Sequence, residues 1–279
     1  MIFIIDGSYI AYRSYHAYKK LEVGEEANVG AIYGFIKNLI TLNKHFNPEK
    51  FIVAWDKGSK RRKEESPEYK ANRASGHGNA VYEQIAIIRL LLFDLGVEQA
   101  DLEGYEADDV IGALVDKYAD AGEKVCIVSA DHDLKQLVRT GVVFLKSLQS
   151  IQTVNTIKDD YGLEPAQLLD VWALSGDTSD NIKGVPSIGE KTATKLVKAY
   201  GSVDEMFKLE AGDDKKLQKV LDNKDVVTLA KSLITLDRDI EPRIVPGEKT
   251  LGIVRYLFEK YLKFSSFIAE WEEIEKLGK

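Results

Sequence analysis

The sequence predicts an α/β fold with a doubly wound, mainly parallel central sheet and helices on both of its faces. Residues 1–5, 51–55 and 125–128 are short, continuous apolar runs, which are typical of buried parallel strands. Between these runs, residues 31–46 and 81–95 repeat apolar side chains every three or four positions, as amphipathic helices do. Strands that alternate with helices in this way indicate a doubly wound sheet.

Each of the three predicted strands ends close to an acidic residue. Asp6 and Asp56 directly follow the first two runs, and Asp131 lies three residues after the third. Ligands of doubly wound sheets bind beyond the carboxyl ends of the strands, where these side chains are expected to lie. Carboxylates crowded there repel one another unless divalent cations lie among them. Together with acids near predicted helix starts, the proposed metal ligands are Asp6, Asp56, Glu106, Asp108, Asp109, Asp131, Asp133, Asp177 and Asp180.

Three of these acids precede the apolar run at 110–115, so they are expected in the first turn of a helix. One acid there would complement the helix dipole and cap free N–H groups, which is the alternative explanation, but three acids exceed that need. Since positions three apart share a helix face, Glu106 and Asp109 are expected to converge while Asp108 points elsewhere.

Asp131-His132-Asp133 is expected at a strand-to-helix turn, where two acids two residues apart bridge neighbouring cations. The other histidines show no matching spacing. An oxygen-rich, histidine-poor set of ligands suits Mg²⁺ or Mn²⁺ better than Zn²⁺.

Length and composition bound the class of protein. The chain has 279 residues, 44% of them hydrophobic, which is enough for one large α/β domain with a smaller appended subdomain. No run approaches the roughly 20 apolar residues of a membrane helix, and the N-terminus lacks a signal-peptide pattern. Cys126 is the only cysteine, which fits a reducing compartment. We therefore expect a cytoplasmic protein and, without coiled-coil heptads, a monomer.

The formal net charge of −7 argues against a nucleic-acid partner at first sight. Without the nine proposed metal ligands the remainder carries +2, because −7 plus nine is +2. Residues 57–73 contain seven Lys or Arg against three Glu. This run predicts a DNA-binding surface or, alternatively, only a solvated face.

A glycine-rich hairpin and a basic helix are expected after the last acidic turn. Gly184 and Gly189 have the spacing of a nucleotide-binding loop, but Glu190 separates Gly189 from Lys191 and breaks that pattern. Residues 191–198 are expected to form a helix whose exposed N–H groups suit phosphate. The segment predicts a helix-hairpin-helix that holds a DNA backbone without reading bases.

Six segments in this order resemble the 5′-nuclease (flap endonuclease) superfamily, which includes bacteriophage 5′-3′ exonucleases and the N-terminal nuclease domain of bacterial DNA polymerase I. The resemblance covers residues 1 to about 200. The segments are Asp6-Gly7-Ser8 with Tyr12-Arg13, Asp56-Lys57-Gly58, Pro67 to Arg73, Gly104 to Asp109, Ser129 to Asp133, and Gly176 through Gly189.

The resemblance implies a structure-specific nuclease that hydrolyses branched or nicked DNA with two bound Mg²⁺ ions about 4 Å apart and leaves 5′-phosphate products. Mn²⁺ is expected to substitute, and carbonyls near the hairpin are expected to hold K⁺. The resemblance also implies that Lys70 and Arg73 contact the scissile phosphate from a helical arch at about 57–82. The absence of a polymerase region favours a free-standing phage-like nuclease or an excised domain, in a bacterial cell or phage-infected host.

The implied organisation is a nuclease core at 1–175, which includes the arch, and a region at 176–279 with the helix-hairpin-helix and C-terminal helices packed on the core. Contacts to DNA are expected from residues after the first strand, in the arch and around the hairpin. These are Arg13, His16, Lys57, Arg61, Arg62, Tyr69, Lys183, Gly184, Gly189, Lys191 and Thr192.

Other functions remain open from the sequence. A metal-dependent phosphatase would also place aspartates after parallel strands, but it would not need the basic arch or the hairpin. A silent junction-binding protein would have no need for all nine acids. A ribonuclease of related architecture is separated only by activity on matched DNA and RNA flaps.

Overall fold

A mixed sheet lies at the centre of the protein. In this computed structural model, which describes residues 1–24, 27–72 and 78–278, the strands are β1 (Ile2–Asp6), β2 (Glu22–Val23), β3 (Ala27–Asn28), β4 (Lys50–Ala54), β5 (Glu98–Asp101), β6 (Val125–Val128), β7 (Val142–Ser147), β8 (Ser150–Gln152), β9 (Gly176–Asp177), β10 (Ile182–Lys183) and β11 (Arg243–Val245). Within those residues the main sheet has the order β11-β5-β4-β1-β6-β7-β8. Its strands from β5 to β7 are parallel, and the edge strands β11 and β8 are antiparallel.

Helices connect these strands. They are α1 (Gly7–Ala17), α2 (Gly30–Phe46), α3 (Lys60–Glu65), α4 (Gly78–Asp94), α5 (Ala107–Asp120), α6 (Val154–Tyr161), α7 (Leu168–Ser175), α8 (Glu190–Tyr200), α9 (Val203–Met206), α10 (Lys215–Asp222), α11 (Lys224–Ile234), α12 (Leu251–Tyr256), α13 (Ser265–Ala269) and α14 (Trp271–Ile274). Two 3₁₀ turns lie at His132–Leu137 and Pro165–Gln167, and a π-helical turn lies at Leu257–Tyr261. None of the helices in the described ranges is long and apolar enough to cross a membrane.

Both faces of the sheet are covered, which confirms the predicted doubly wound fold. Alternate residues of a strand point to opposite faces. On β1, Ile2 and Ile4 belong to a core formed with α5, α7, α8 and α11, whereas Phe3 and Ile5 belong to a core formed with α1, α2, α4 and the C-terminal helices. Because neither face of β1 meets water, its sequence is continuously apolar rather than alternating.

The strand order reverses at β1. From β1 the chain adds β4 and then β5 on one side, and later β6 and β7 on the other. Helix α1 after β1 and the 3₁₀ turn after β6 therefore pack on opposite faces of the sheet, and a crevice opens beyond the carboxyl ends of these strands, where open α/β sheets bind ligands. Asp6 is the last residue of β1, Asp56 lies two residues after β4, and Asp131 lies three residues after β6.

Gly7 allows α1 to begin directly after β1. A Cβ atom at this position would lie 2.7 Å from Val53 Cγ1 and 2.8 Å from the Ala54 carbonyl oxygen, closer than side chains approach. The close packing of α1 on β4 therefore requires glycine here. Asp6 caps the same helix, since its side chain accepts a hydrogen bond from the Tyr9 N–H.

The segment expected to form the arch begins with α3 and continues through a turn at 67–72. Residues 73–77, which include Arg73, lie outside the described residues. The chain is described again from Gly78, where α4 begins and returns to the sheet.

The helix-hairpin-helix consists of α7, the β9-β10 hairpin with the following loop, and α8. Gly176 and Gly184 lie against each other, because a Cβ atom on Gly184 would lie 2.4 Å from the Gly176 nitrogen. Further along the chain, α12 packs on α4 and α14 packs on α2. The strand β11, which the sequence did not predict, pairs with β5 at the sheet edge.

Candidate active site and metal centre

Four carboxylates meet in one open pocket at the carboxyl edge of the sheet. Asp6 ends β1, Asp56 lies beyond β4, Asp108 lies in the first turn of α5, and Asp131 follows β6. They line a pocket of about 420 Å³ together with Lys70. The crowding of acids that the sequence predicted is therefore present at the topological switch point.

Hydrogen bonds fix three of these carboxylates. Asp6 Oδ1 accepts the Tyr9 N–H at 2.9 Å, and its Oδ2 accepts the Ser129 hydroxyl at 2.8 Å. Asp56 Oδ1 accepts the Ala107 N–H at 2.9 Å, at the start of α5. Asp131 Oδ1 accepts a backbone N–H at 3.0 Å in the 3₁₀ turn. Ligands held in this way are preorganised for a bound cation.

The acids of this pocket repel one another. Burial, followed by the charge of Asp56, raises the pKa of Asp6 to about 7. Burial and the charge of Asp131 raise the pKa of Asp108 well above its usual range. Among the residues that the structure describes, no Lys or Arg forms an ion pair with any of the four. A cluster of carboxylates without a direct ion pair to a protein cation fits hard divalent cations, which oxygen ligands bind.

A second group of acids lies next to the first, on the side of the helix-hairpin-helix. It contains Asp133, Asp177 and Asp180. Burial raises the pKa of Asp133, and the charges of Asp131, Asp177 and Asp180 add to this effect. Asp133 Oδ1 is buried and accepts no hydrogen bond, although His132 Nε2 lies 3.3 Å away. An unsatisfied buried carboxylate oxygen is the atom expected to ligate a cation.

His132 lies near two of the three aspartates of this group, Asp133 and Asp177. Its Nε2 atom lies 3.9 Å from Asp177 Oδ2, and ligand atoms of Asp131, His132 and Asp133 all lie within 4.8 Å of one another. His132 was not among the predicted ligands, because the other histidines show no matching spacing.

Glu106 and Asp109 do converge, as expected, but on a protein cation. Arg62 Nη1 lies 3.0 Å from Glu106 Oε2 and 2.6 Å from Asp109 Oδ2, and Arg62 Nη2 lies 2.8 Å from Asp109 Oδ1. Asp109 Oδ1 also accepts the Asp237 N–H at 2.9 Å. Because the charge of Asp109 is already balanced by a guanidinium, which contacts both of its oxygens, Asp109 does not fit the predicted role of metal ligand.

The predicted contact of Arg62 with DNA does not fit the structure either. The residue is 3% exposed, and its Nε donates to the Leu233 carbonyl at 2.7 Å. Burial opposes its charge, yet the hydrogen bonds and charge of Asp109 outweigh burial and raise the pKa of the guanidinium. Arg62 is an internal counter-ion that ties α3 to α5 and to the end of α11.

Tyr69 is buried as well, so the prediction that it binds DNA is corrected in the same way. Its hydroxyl donates to Glu106 Oε2 at 2.8 Å and lies 3.2 Å from Asp180 Oδ2. Burial and the charge of Glu106 raise its pKa, which keeps the hydroxyl a donor. Arg61, its neighbour in the expected arch, donates to the Ser232 and Thr235 carbonyls rather than projecting freely.

Lys70 lies at the rim of the acidic pocket. Its Nζ contacts Glu106 Oε1 and lies 3.5 Å from Asp180 Oδ2. Burial favours the neutral amine, but the charges of Glu106 and Asp180 overcome this effect and raise the pKa of Lys70. The ammonium group is therefore a fixed positive charge beside the carboxylates. Glu106 holds this lysine and Arg62 rather than lining the pocket.

The other predicted DNA contacts lie at the surface around this pocket. Arg13 and His16 are exposed on α1, and Lys57 is exposed beyond Asp56. Near the hairpin, Lys183 is exposed with its Nζ 3.2 Å from Glu68 Oε2.

The start of α8 is open to an external group. In its first turn Lys191 is exposed and Thr192 is half-buried. The N-cap residue is Gly189, so no side chain of that residue caps the N–H groups of the turn. A Cβ atom on Gly189 would meet nothing within 4 Å, and its φ of −88° needs no glycine. Gly184, in contrast, is required by its contact with the Gly176 backbone.

Two hydroxyl residues were missed as parts of the site. Ser129 Oγ donates to Asp6 and accepts the Asp131 N–H at 3.1 Å, so it links two of the pocket acids. Ser8 Oγ accepts the Asp56 N–H at 3.3 Å. Both residues lie within two positions of a proposed ligand, which is the sequence signal by which they are recognisable.

Comparison with protein families agrees with this geometry. Residues 1–162 match the family described as "5'-3' exonuclease, N-terminal resolvase-like domain", and residues 163–251 match "5'-3' exonuclease, C-terminal SAM fold". The two matches together cover most of the chain.

Two curated relatives have different lengths. The 5'-3' exonuclease of Buchnera aphidicola is 41% identical over 209 residues, which cover 74% of this chain and 72% of the relative. DNA polymerase I of Caldicellulosiruptor bescii is 37% identical over 249 residues, which cover 85% of this chain but only 29% of that protein.

Solved structures share the fold. T5 5'-exonuclease with zinc bound superposes with a TM-score of 0.70 at 22% identity and covers 96% of this chain and 98% of the T5 chain. A T5 flap endonuclease complex with DNA and metal ions gives a TM-score of 0.66 at 20% identity, with 99% of both chains covered. The resemblance found in the sequence is thus confirmed by both family matches and by the Buchnera relative, and the chain belongs to the 5′-3′ exonuclease family.

Proposed function

We propose that the chain is a structure-specific 5′-nuclease that hydrolyses phosphodiester bonds of branched or nicked DNA, as 5′-3′ exonuclease and flap endonuclease, and leaves 5′-phosphate ends. The observation that carries this proposal is the single pocket in which Asp6, Asp56, Asp108 and Asp131 meet with Lys70 at the rim. Family membership supports the reaction class, and a relative named for the same activity covers most of the chain.

The carboxylates of the pocket and the neighbouring Asp133, Asp177 and Asp180 would hold two divalent cations, Mg²⁺ with Mn²⁺ as a substitute. When bound, such ions activate water and stabilise charge on the leaving oxygen. Ser129 and the backbone N–H groups orient the acids for this purpose. Their mutual repulsion makes the pocket a strong site for cations and a poor one for phosphate alone.

Lys70 would draw the scissile phosphate into a pocket that is otherwise negative. Its ammonium group is kept charged by Glu106 and Asp180, and it would stabilise charge that develops on the phosphoryl oxygens. Arg73 is proposed for the same role from the sequence resemblance, and it lies outside the residues that the structure describes.

The start of α8 would grip the duplex part of the substrate. Gly189 leaves room for close approach of a phosphate, and free N–H groups with Lys191 and Thr192 suit an anion. Hairpin carbonyls would hold K⁺ between protein and phosphate. On the other side of the pocket, Arg13 and His16 would contact the 5′ strand, and Lys57 and Lys183 would add general attraction.

One experiment tests the whole proposal. A 5′-labelled flap, a nicked duplex and a single strand are each incubated with Mg²⁺ and with EDTA, and product length and end chemistry are measured. We expect metal-dependent cleavage of the flap and the nicked duplex to products with 5′-phosphate ends. Failure to cut any DNA substrate in Mg²⁺ would refute the proposal.

Matched RNA flaps and a small phosphomonoester decide between the alternatives. Preference for the RNA flap would select a ribonuclease, and preference for the phosphomonoester would select a phosphatase. The cytoplasmic location, the monomeric state and the division at residue 175 are proposals of the same kind, for which cell fractionation, light scattering and limited proteolysis are the tests.

A further inference from the structure

The backbone of Lys70 has a conformation that needs support. Its φ of 55° lies in the left-handed region, which residues other than glycine rarely adopt. Its N–H donates to the Asp180 carbonyl at 2.9 Å, and its side chain contacts Glu106. A residue in such a conformation persists only where its surroundings hold it. The position of the ammonium group therefore depends on the β9-β10 hairpin.

Side chains reinforce this connection in both directions. Asn72 Nδ2 donates to the Thr178 carbonyl at 2.8 Å, and Asn181 Nδ2 donates to the Glu68 carbonyl at 2.7 Å. Asn181 is itself left-handed, with a φ of 58°, which asparagine tolerates better than most residues. We call these two amide bonds and the Lys70–Asp180 bond the clasp. It joins residues 68–72 to residues 178–181.

The clasp lies only a few residues along the chain from the predicted duplex contact at the start of α8. From Asn181 the chain passes through β10 into Gly184, whose backbone lies against Gly176, and then into the start of α8. Gly184 has no space for a side chain, so this connection is tightly packed. The start of α8 is therefore connected to Lys70 through the contact of Gly184 with Gly176, the hairpin and the clasp.

We propose that the clasp couples duplex binding at the start of α8 to the placement of Lys70, with Asn72 and Asn181 as positioning residues. This inference rests on the proposed nuclease function. Duplex held by α8 fixes the β9-β10 hairpin, and the hairpin fixes the left-handed turn at Lys70. Without the clasp, DNA still binds at α8, but that binding no longer fixes the position of the Lys70 ammonium group.

A double-mutant cycle tests the coupling. Asn181→Gly keeps the backbone conformation and removes the amide donor, and Lys191→Ala weakens the duplex contact. Single-turnover cleavage of a 5′ flap is measured at saturating enzyme, so that differences in affinity drop out. We expect each substitution to slow cleavage on the order of fivefold and the double variant to be no slower than either single variant, since both interrupt one connection. Asn72→Ala should behave as Asn181→Gly does.

Asn47→Gly is the matched control, because Asn47 is also left-handed, with a φ of 41°, but ends α2 away from the site. Its effect and that of Lys191→Ala should multiply. Mg²⁺ affinity, measured by calorimetry, and the melting temperature should match the unsubstituted protein in Asn181→Gly.

Multiplying effects of Asn181→Gly and Lys191→Ala, or an unchanged rate in Asn181→Gly, would overturn the coupling while the nuclease proposal stands. A loss of Mg²⁺ affinity in that variant would assign Asn181 to the metal site instead, against the inference. If the unsubstituted protein cuts no flap in Mg²⁺, the proposed function fails first and the inference falls with it.

Discussion

Two neighbouring residues of one helix turn show how the acids of this protein divide. Asp108 faces the pocket at the sheet edge, whereas Asp109 is bound by the guanidinium of Arg62. Burial raises the pKa of Asp108, and the charges of Asp131 and Asp6 raise it further, while Lys70 opposes them. Asp109, which is 1% exposed, is paired with a cation supplied by the protein. The guanidinium of Arg62 ties Asp109 into the fold, whereas Asp108 forms no ion pair with a Lys or Arg of the described residues and is proposed to ligate a cation from solution.

The first prediction concerns the pocket side of this comparison. Asp108→Asn removes a charge and a ligand oxygen, so Mg²⁺-dependent cleavage of a flap should fall by roughly 10³-fold, the scale of a lost group that acts on developing charge. Duplex binding in Ca²⁺ or EDTA should persist within a few-fold. Single-turnover rates and gel-shift affinities measure the two quantities. Asp131→Asn is expected to behave in the same way, and near-normal turnover in both would exclude the pocket as the metal site.

Lys70→Ala sharpens the comparison from the cation side. Because Lys70 is the charged amine at the pocket rim, its removal should lower the cleavage rate by roughly 10²-fold with little loss of DNA affinity. Lys60→Ala is a matched control, since Lys60 is a lysine of the same segment with a side chain that is 77% exposed. A defect confined to affinity would reduce Lys70 to an electrostatic contact.

Asp109→Asn tests the structural side. It leaves Arg62 buried with one carboxylate partner fewer, so the free energy of unfolding should fall by about 3 kcal/mol. The remaining folded protein should keep its Mg²⁺ affinity and most of its cleavage rate at low temperature. Urea unfolding in EDTA and calorimetry with Mg²⁺ separate these effects. Loss of Mg²⁺ affinity with unchanged stability would return Asp109 to the set of metal ligands.

The sequence predicts the residues of the pocket better than those around it, because the pocket acids are placed by the strands next to them in the sequence. Asp6, Asp56 and Asp131 follow apolar strands, so fold class alone places them at one edge. The partner of Asp109 is 47 residues away in the sequence, and Arg62 is held by the Leu233 carbonyl near the end of α11. In the sequence, Arg62 looks like the other basic residues of its segment, so it was predicted to bind DNA with them. Only the tertiary packing shows that it is buried.

Strand β5 escaped prediction for a related reason. Its sequence, Glu98 to Asp101, is mostly polar and lacks a strand pattern. Gln99 is satisfied by the Trp55 indole N–H at 3.0 Å, and Asp101 by Arg89 and Arg243. Burial of these polar groups depends on partners from three other segments, which no local pattern reveals. The same holds for the clasp, whose bonds join segments more than 100 residues apart.

The last and smallest effect is the contribution of the pocket acids to the pH dependence of stability. The pKa of Asp6 is raised to about 7 in the folded protein from an ordinary value of 3.8. As pH rises through that window, the unfolded chain releases the proton first, so the metal-free fold loses stability between about pH 4 and pH 7. Cation binding needs the charged carboxylates, so the stabilisation by Mg²⁺ should grow over the same window.

Melting temperatures with EDTA and with Mg²⁺, at about pH 5.5 and about pH 8, measure this effect. We expect Mg²⁺ to raise the melting temperature by several degrees at the higher pH and by much less at the lower one. Asp6→Asn should flatten the metal-free pH dependence and raise the melting temperature in EDTA, because it removes a repelling charge. Asp101→Asn should instead lower the melting temperature in EDTA, since the side chain of Asp101 forms ion pairs with Arg89 and Arg243. Equal Mg²⁺ stabilisation at both pH values would mean that the pocket acids do not hold the cation.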